Sequence, residues 1–283
     1  MSLTKKNHRT LAAGVLILLF ALGLLINESD FIGQDSTAAV QYLKVYSAFL
    51  PFLAYIVPFG IFMRRVSAKY RISGLELLAA AGCGAFISSA FAGELNGGFD
   101  DLMTGLMGKA YSDAWLGSLE TGIAEELLKL GTAALLLYAL GRKSLKDYLS
   151  IGMCVGMGFQ MEEDIAYITD SGFKDVNQAF PAALDRVSCS LGSHWAYAAV
   201  TAAGLYLIVR TSGQNHRRKG LGWILLVMAD HFLYDSPIGE PQIFNALLTV
   251  AVVLPVILFF RSPEMRAEES EASGAASCLS GIL

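Results

Sequence analysis

Charge is what this chain is short of. Only 16% of its 283 residues are Asp, Glu, Lys or Arg, against about a quarter in a soluble domain. With 54% hydrophobic residues and a mean hydropathy of +0.50, that shortage excludes an ordinary water-soluble globule. It predicts an all-α, polytopic membrane protein. The four cysteines, Cys83, Cys154, Cys189 and Cys278, show no CxxC or metal spacing. A disulfide framework and a thiolate metal site are therefore excluded, and the three cysteines in apolar runs read as packing residues. No internal repeat and no separate soluble domain is visible. The net charge of −4 says little, because charge in such chains is sorted by loop, and no nucleic-acid partner is expected.

What is present is a series of apolar runs near the ~20 residues that cross a bilayer as helix. Eight are expected, near 10–26, 43–63, 74–93, 117–140, 149–169, 188–209, 219–235 and 243–260. The first follows Lys5, Lys6 and Arg9 and resembles a signal peptide. With a long apolar run and no convincing A-x-A site before Asn27, it reads as a retained anchor. Basic residues fall in alternate loops, around Arg64–Arg71, Arg142–Lys146, Arg210–Lys219 and Arg261–Arg266. The loops between hold mainly acids such as Glu28, Asp30, Asp35, Glu94, Asp100, Asp170 and Glu240. The positive-inside rule then places both termini in the cytoplasm. Residues 1–262 read as one integral membrane domain and 263–283 as a polar, unstructured cytoplasmic tail. Cys278 is sixth from the end, so the tail carries no prenylation box. Between spans three and four, Phe99, Leu102, Met103, Leu106 and Met107 recur at helical spacing, which predicts a short amphipathic helix on the outer leaflet.

Four spans carry ionisable residues that hydropathy alone would forbid. The fourth, LETGIAEELLKLGTAALLLYAL from Leu119 to Leu140, has Glu125, Glu126 and Lys129. The fifth has Glu162, Glu163 and Asp164, the sixth His194, and the seventh Asp230, His231 and Asp235. A charge near the bilayer centre costs at least ~2.5–3.5 kcal/mol, so three within five positions need a reason. Lys129 lies three and four residues from the two glutamates and reaches both on one helix face. An internal ion pair explains the lysine and one glutamate, but not the second. Counted along the oriented helices, Glu125 and Glu126 lie about one to one and a half turns below the outer surface. Starting the helix near Ala114 puts them deeper, ~17 Å along the axis. Glu163 and His194 lie about two turns in and His231 about one. Each group falls in the outer half of the bilayer, which predicts one polar cavity open to the extracytoplasmic side.

Taken singly, each group has a plainer reading: a packed histidine, or a solvated carboxylate at Asp164 or Asp235. Four spans sharing one depth favour a site. Two imidazoles and a carboxylate make an N/O set for a divalent metal such as zinc, with a further glutamate free as general base. Adjacent Glu125 and Glu126 diverge by about 100° and cannot both face one point; which of them would be the base stays open. His231 and Asp235, four apart, share a face, so Asp235 is placed to orient the imidazole.

These residues resemble a known family. E-E-L-L-K at Glu125–Lys129 matches the E-E-x-x-K signature of the PrsW-type intramembrane proteases, a family related to the CAAX-processing and bacteriocin-processing membrane proteases. G-F-Q-M-E-E-D at Gly158–Asp164 is similar to G-F-x-x-x-E-N, with Phe159 and Glu163 in register. Arg186 with the His194 region, and A-D-H-F-L-Y-D with His231 and Asp235, resemble the remaining two. Asp164 and Asp235 stand where the family commonly has Asn. The resemblance spans roughly residues 117–236 and implies an active site of Glu125, Glu126, Glu163, His194 and His231, supported by Lys129, Phe159, Asp164, Arg186 and Asp235. Glu163, His194 and His231 would hold the metal.

The expected function is an intramembrane endopeptidase acting near the outer face of the bilayer on a single-span membrane protein or membrane-associated peptide. Two alternatives stand beside it. A proton- or cation-coupled transporter predicts paired half-sequences, which are absent. A non-catalytic membrane interaction protein is argued against by the intact site residues. Neither the substrate nor the oligomeric state is legible in the sequence.

Overall fold

In a computed structural model of the full chain, the structure describes residues 3–33, 37–268 and 270. Asp35, Cys278 and the rest of the polar tail lie outside it. Among the described residues the elements are all helical. They are α1 (Leu3–Ile26), α2 (Ala39–Ser47), α3 (Leu53–Tyr70), α4 (Gly74–Cys83) and α5 (Ala90–Met107). There follow α6 (Lys109–Tyr111), α7 (Gly117–Leu140), α8 (Leu145–Lys174), α9 (Ala179–Cys189), α10 (His194–Val209), α11 (Gln214–Asp235) and α12 (Gln242–Phe260).

Among the described residues four helical stretches are long and apolar enough to cross a membrane: Lys6–Phe31, Ala39–Tyr70, Gly74–Met107 and Gln242–Glu268. Helices also cover the other four expected spans. Of these, α7, α8 and α11 carry several charged residues each, and α10 is only 16 residues long. Large apolar side chains stay exposed on the long helices, among them Leu11, Leu75, Leu78, Leu127, Leu247 and Leu254. A surface this apolar is the mark of a protein that sits in lipid.

The ends of these helices follow from local chemistry. Ser144 and Asp147 form a capping box at the start of α8, the Ser144 amide donating to Asp147 Oδ2 at 3.0 Å. Ser73 and Glu76 do the same for α4. Gly141, at φ 71°, takes the left-handed conformation that closes α7. Arg142 then bridges Glu76 and Asp147, tying the ends of three helices together.

Three expectations are corrected here. The amphipathic segment at 99–107 is no separate helix; it continues α4 and α5 through a π turn at Gly84–Ser89. The stretch from 263 begins as helix through 268. There Met265 is fully buried, and Glu268 accepts from the amide of Leu145 at 2.7 Å, an anion on the free N–H groups of α8. Span six does not open at 188. Helix α9 ends at Cys189, a 3-10 turn occupies Ser190–Gly192, and extended Ser193 leads into α10, so His194 is the first residue of its helix.

Helix α8 is the hub, packed against α4 and its π turn, α7, α9 and above all α10. Glycine makes that packing possible. A Cβ at Gly156 would lie 2.1 Å from the carbonyl oxygen of His194, and one at Gly152 2.4 Å from that of Ala198. The two α8 glycines, four apart, let the α10 backbone come close where side chains would hold it off. Gly122 of α7 likewise seats α11, where a Cβ would lie 2.8 Å from the amide nitrogen of Phe232. Gly156→Ala should therefore destabilise the protein by about 1–3 kcal/mol through overpacking. Gly131→Ala, where nothing lies within 4 Å, should be neutral or slightly stabilising. Thermal unfolding in detergent reads both.

Candidate active site

Glu125 and Glu126 are neighbours on α7, yet they face different surroundings. Glu125 Oε1 accepts from Asn96 Nδ2 of α5 at 3.0 Å. Its Oε2, buried and without a hydrogen-bond donor, points at Lys129 Nζ (3.5 Å), His194 Nδ1 (3.8 Å) and His231 Nε2 (3.8 Å). Glu126 is fully buried. Its Oε1 receives Lys129 Nζ at 2.6 Å and meets His231 Nδ1 at 2.9 Å. The sequence left open how one helix uses two adjacent acids. Their roughly 100° divergence sends Glu125 into a cavity wall and Glu126 into the packing behind it.

Lys129 is itself fully buried. Besides the two glutamates it donates to His194 Nδ1 at 2.8 Å and stands 4.3 Å over the Phe159 ring. An ammonium only donates, so His194 Nδ1 is the acceptor and Nε2 carries the hydrogen. That hydrogen goes to Glu163 Oε2 at 3.1 Å. Glu163 and Asp164 are both held by Arg186 of α9, and Tyr55 donates to Asp164 Oδ2 at 2.8 Å. On α11, His231 Nε2 lies 3.2 Å from Asp235 Oδ2, one turn on. The Tyr197 ring stacks on His231 at 4.9 Å, and its hydroxyl donates to Asp230.

All ten singled-out residues thus belong to one connected assembly, with the His194 and His231 rings 5.2 Å apart. It borders a cavity of about 540 Å³ whose wall includes Glu125, Glu163, Arg186, His194, His231 and Asp235. Sequence reasoning missed part of that wall. Asn96, Tyr167 and Tyr197 carry no charge to mark them in an apolar run, and Cys189, read as a packing residue, is exposed and lines the cavity.

Ligand atoms of Glu125, His194 and His231, all buried, lie within 4.8 Å of one another. Ligands ~2.1 Å from zinc stand ~3.4 Å from each other in a tetrahedron, so a divalent ion here would draw the set together and take the His194 Nδ1 lone pair from Lys129, leaving the ammonium to the two glutamates. The orphaned Glu125 Oε2 faces that point. Each imidazole also has a carboxylate on its other nitrogen, Glu163 for His194 and Glu126 for His231, the outer partners that orient metal-binding histidines. The acid in the cluster is Glu125, where the sequence pointed to Glu163. Glu163 is drawn to Arg186 and the far nitrogen of His194 instead.

Residues 75–260, more than half the chain, match the family described as PrsW family intramembrane metalloprotease. The chain belongs to that family. It is accordingly a membrane-embedded protease of the hydrolase class. Neither a curated protein nor a solved structure matches it.

Because Lys129 neutralises buried acids, its loss is expected to be severe. Lys129→Met should cost about 3–5 kcal/mol, the cost of stranding buried charge. Lys174→Met, which removes an exposed pair with Asp170, should cost under ~1 kcal/mol. Unfolding of the two variants in the same detergent compares them directly.

Proposed function

We propose that this PrsW-family protein is an eight-span endopeptidase with both termini in the cytoplasm. It hydrolyses a peptide bond of a membrane-anchored protein near the outer face of the bilayer. The observation that carries this reading is the convergence of Glu125, His194 and His231 on one buried point beside the 540 Å³ cavity. Those three residues would hold a divalent metal, with zinc the best match to an N/O donor set. When bound, such an ion supplies Lewis acidity, polarising a carbonyl and making water a better nucleophile.

The chain's own residues do the rest. Glu163 fixes the His194 ring through Nε2, and Arg186 fixes Glu163. Glu126, off the cavity, is a positioning residue that holds His231 and Lys129. Asp235, one-third exposed on the wall and 3.2 Å from His231, is placed to take the proton of the attacking water. The substrate backbone has to unwind in the cavity, since a helix in lipid keeps its carbonyls hydrogen-bonded. Polar groups along the wall, Asn96, Tyr167 and Tyr197 among them, can receive the backbone groups freed by unwinding.

Purified protein with a panel of single-span substrates tests the roles. Glu125→Gln, which removes a ligand carboxylate, should lower turnover by more than the ~10–100-fold that loss of an outer-shell partner costs. Glu126→Gln should lower it by only ~10–100-fold, as loss of an orienting partner does. A chelator should abolish cleavage and added zinc restore it. Wild-type turnover in Glu125→Gln would refute the assignment.

Reporter fusions test the orientation. Alkaline phosphatase inserted after Met107 should be active, and the same enzyme fused at the C-terminus inactive. The opposite pattern would invert the topology.

A further inference from the structure

A second cavity of about 310 Å³ adjoins the first and shares Glu125 and Glu163 with it. The function proposed above leaves its other groups unused. Among the described residues five carboxylates line it, Asp30, Glu94, Glu125, Glu162 and Glu163, and no lysine, arginine or histidine does. Lys129 and Arg186 serve Glu125 and Glu163 from outside this wall. Asp30 and Glu162 face the cavity with no basic residue among its described lining.

Glu162 is 4% exposed. Its Oε2 accepts from Ser89, on the π turn before α5, and its Oε1 is buried with no donor. The Asp30 carboxyl, just past the end of α1, comes within hydrogen-bonding reach of it. Two ionised carboxylates have no hydrogen to offer one another, so only a shared proton or a bound cation can join them. The donor set is oxygen only, carboxylate and hydroxyl, which selects a hard cation over zinc. The cavity has room for the waters such an ion keeps.

We propose that Asp30, Glu162 and Ser89 form a site for a hard divalent cation of the calcium class, distinct from the Glu125–His194–His231 cluster. Bound there, the ion offsets the acidic wall beside Glu125 and ties the end of α1 to α8. Loading from the extracytoplasmic side rests on the orientation proposed above; the binding itself does not depend on proteolysis.

The test uses the purified full-length protein in detergent, titrated with Tb³⁺, with Tyr167 on the same wall as the sensitiser. Tyrosine-sensitised emission that Ca²⁺ displaces is expected, together with a Ca²⁺-dependent rise in Tm. Asp30→Asn and Glu162→Gln should each weaken Tb³⁺ binding by about a hundredfold or more, exceeding what loss of an outer-shell partner costs. Half-buried Asp30 at a helix end makes the first variant informative even where the second folds poorly. Tyr167→Phe should dim the emission yet keep the Tm rise, and His194→Ala should keep both. Emission that survives Asp30→Asn and Glu162→Gln, or that vanishes with His194→Ala, would overturn the site. So would the absence of any response to either ion. Failure here leaves the peptidase reading untouched, because that reading stands on cleavage by Glu125 variants.

Discussion

A fully buried lysine is the constraint on which this structure turns. Removing an ammonium from water costs several kcal/mol even after a protein relaxes around it. Lys129 recovers that through Glu126 at 2.6 Å, Glu125 at 3.5 Å, His194 at 2.8 Å and the Phe159 face. These partners come from three helices, α7, α8 and α10, and His231 joins from α11 through Glu126. The same interactions that make the lysine tolerable also draw two imidazoles and an acid to one point. Ion pairing and site assembly are a single arrangement.

Such an arrangement demands close backbones. Helices in lipid gain little from burying apolar side chains against each other, so contact depends on shape. Gly152 and Gly156 bring α10 onto α8, and Gly122 brings α11 onto α7. His194 benefits doubly, because its own carbonyl is what Gly156 accommodates. Starting α10 at His194, after an extended Ser193, lets the ring sit between Lys129 on one side and Glu163 on the other.

Arg186 plays the matching part at the cavity wall. Held between Glu163 and Asp164, it anchors α9 to α8 and offsets two adjacent acids. Beyond Glu163 the balance tips further toward negative charge, and among the described residues no basic side chain lines the cavity shared by Asp30 and Glu162. The protein therefore separates a region where Lys129 and Arg186 offset part of the acidic charge from one whose described wall holds no basic residue.

Much of this was legible in the sequence. Scarce charge and long apolar runs identify an all-helical membrane protein, because a bilayer allows few other spanning structures. The E-E-L-L-K spacing put Lys129 against both glutamates, as helix periodicity requires. His231 and Asp235 at four residues gave a shared face for the same reason. Those are local regularities, and a chain carries them in its order. Which glutamate faces the cavity, which acid meets both histidines, and that Cys189 and Asn96 belong to the wall depend on rotations and contacts between helices far apart in the chain. Helical period sets the angle between two side chains; only packing sets what lies in each direction.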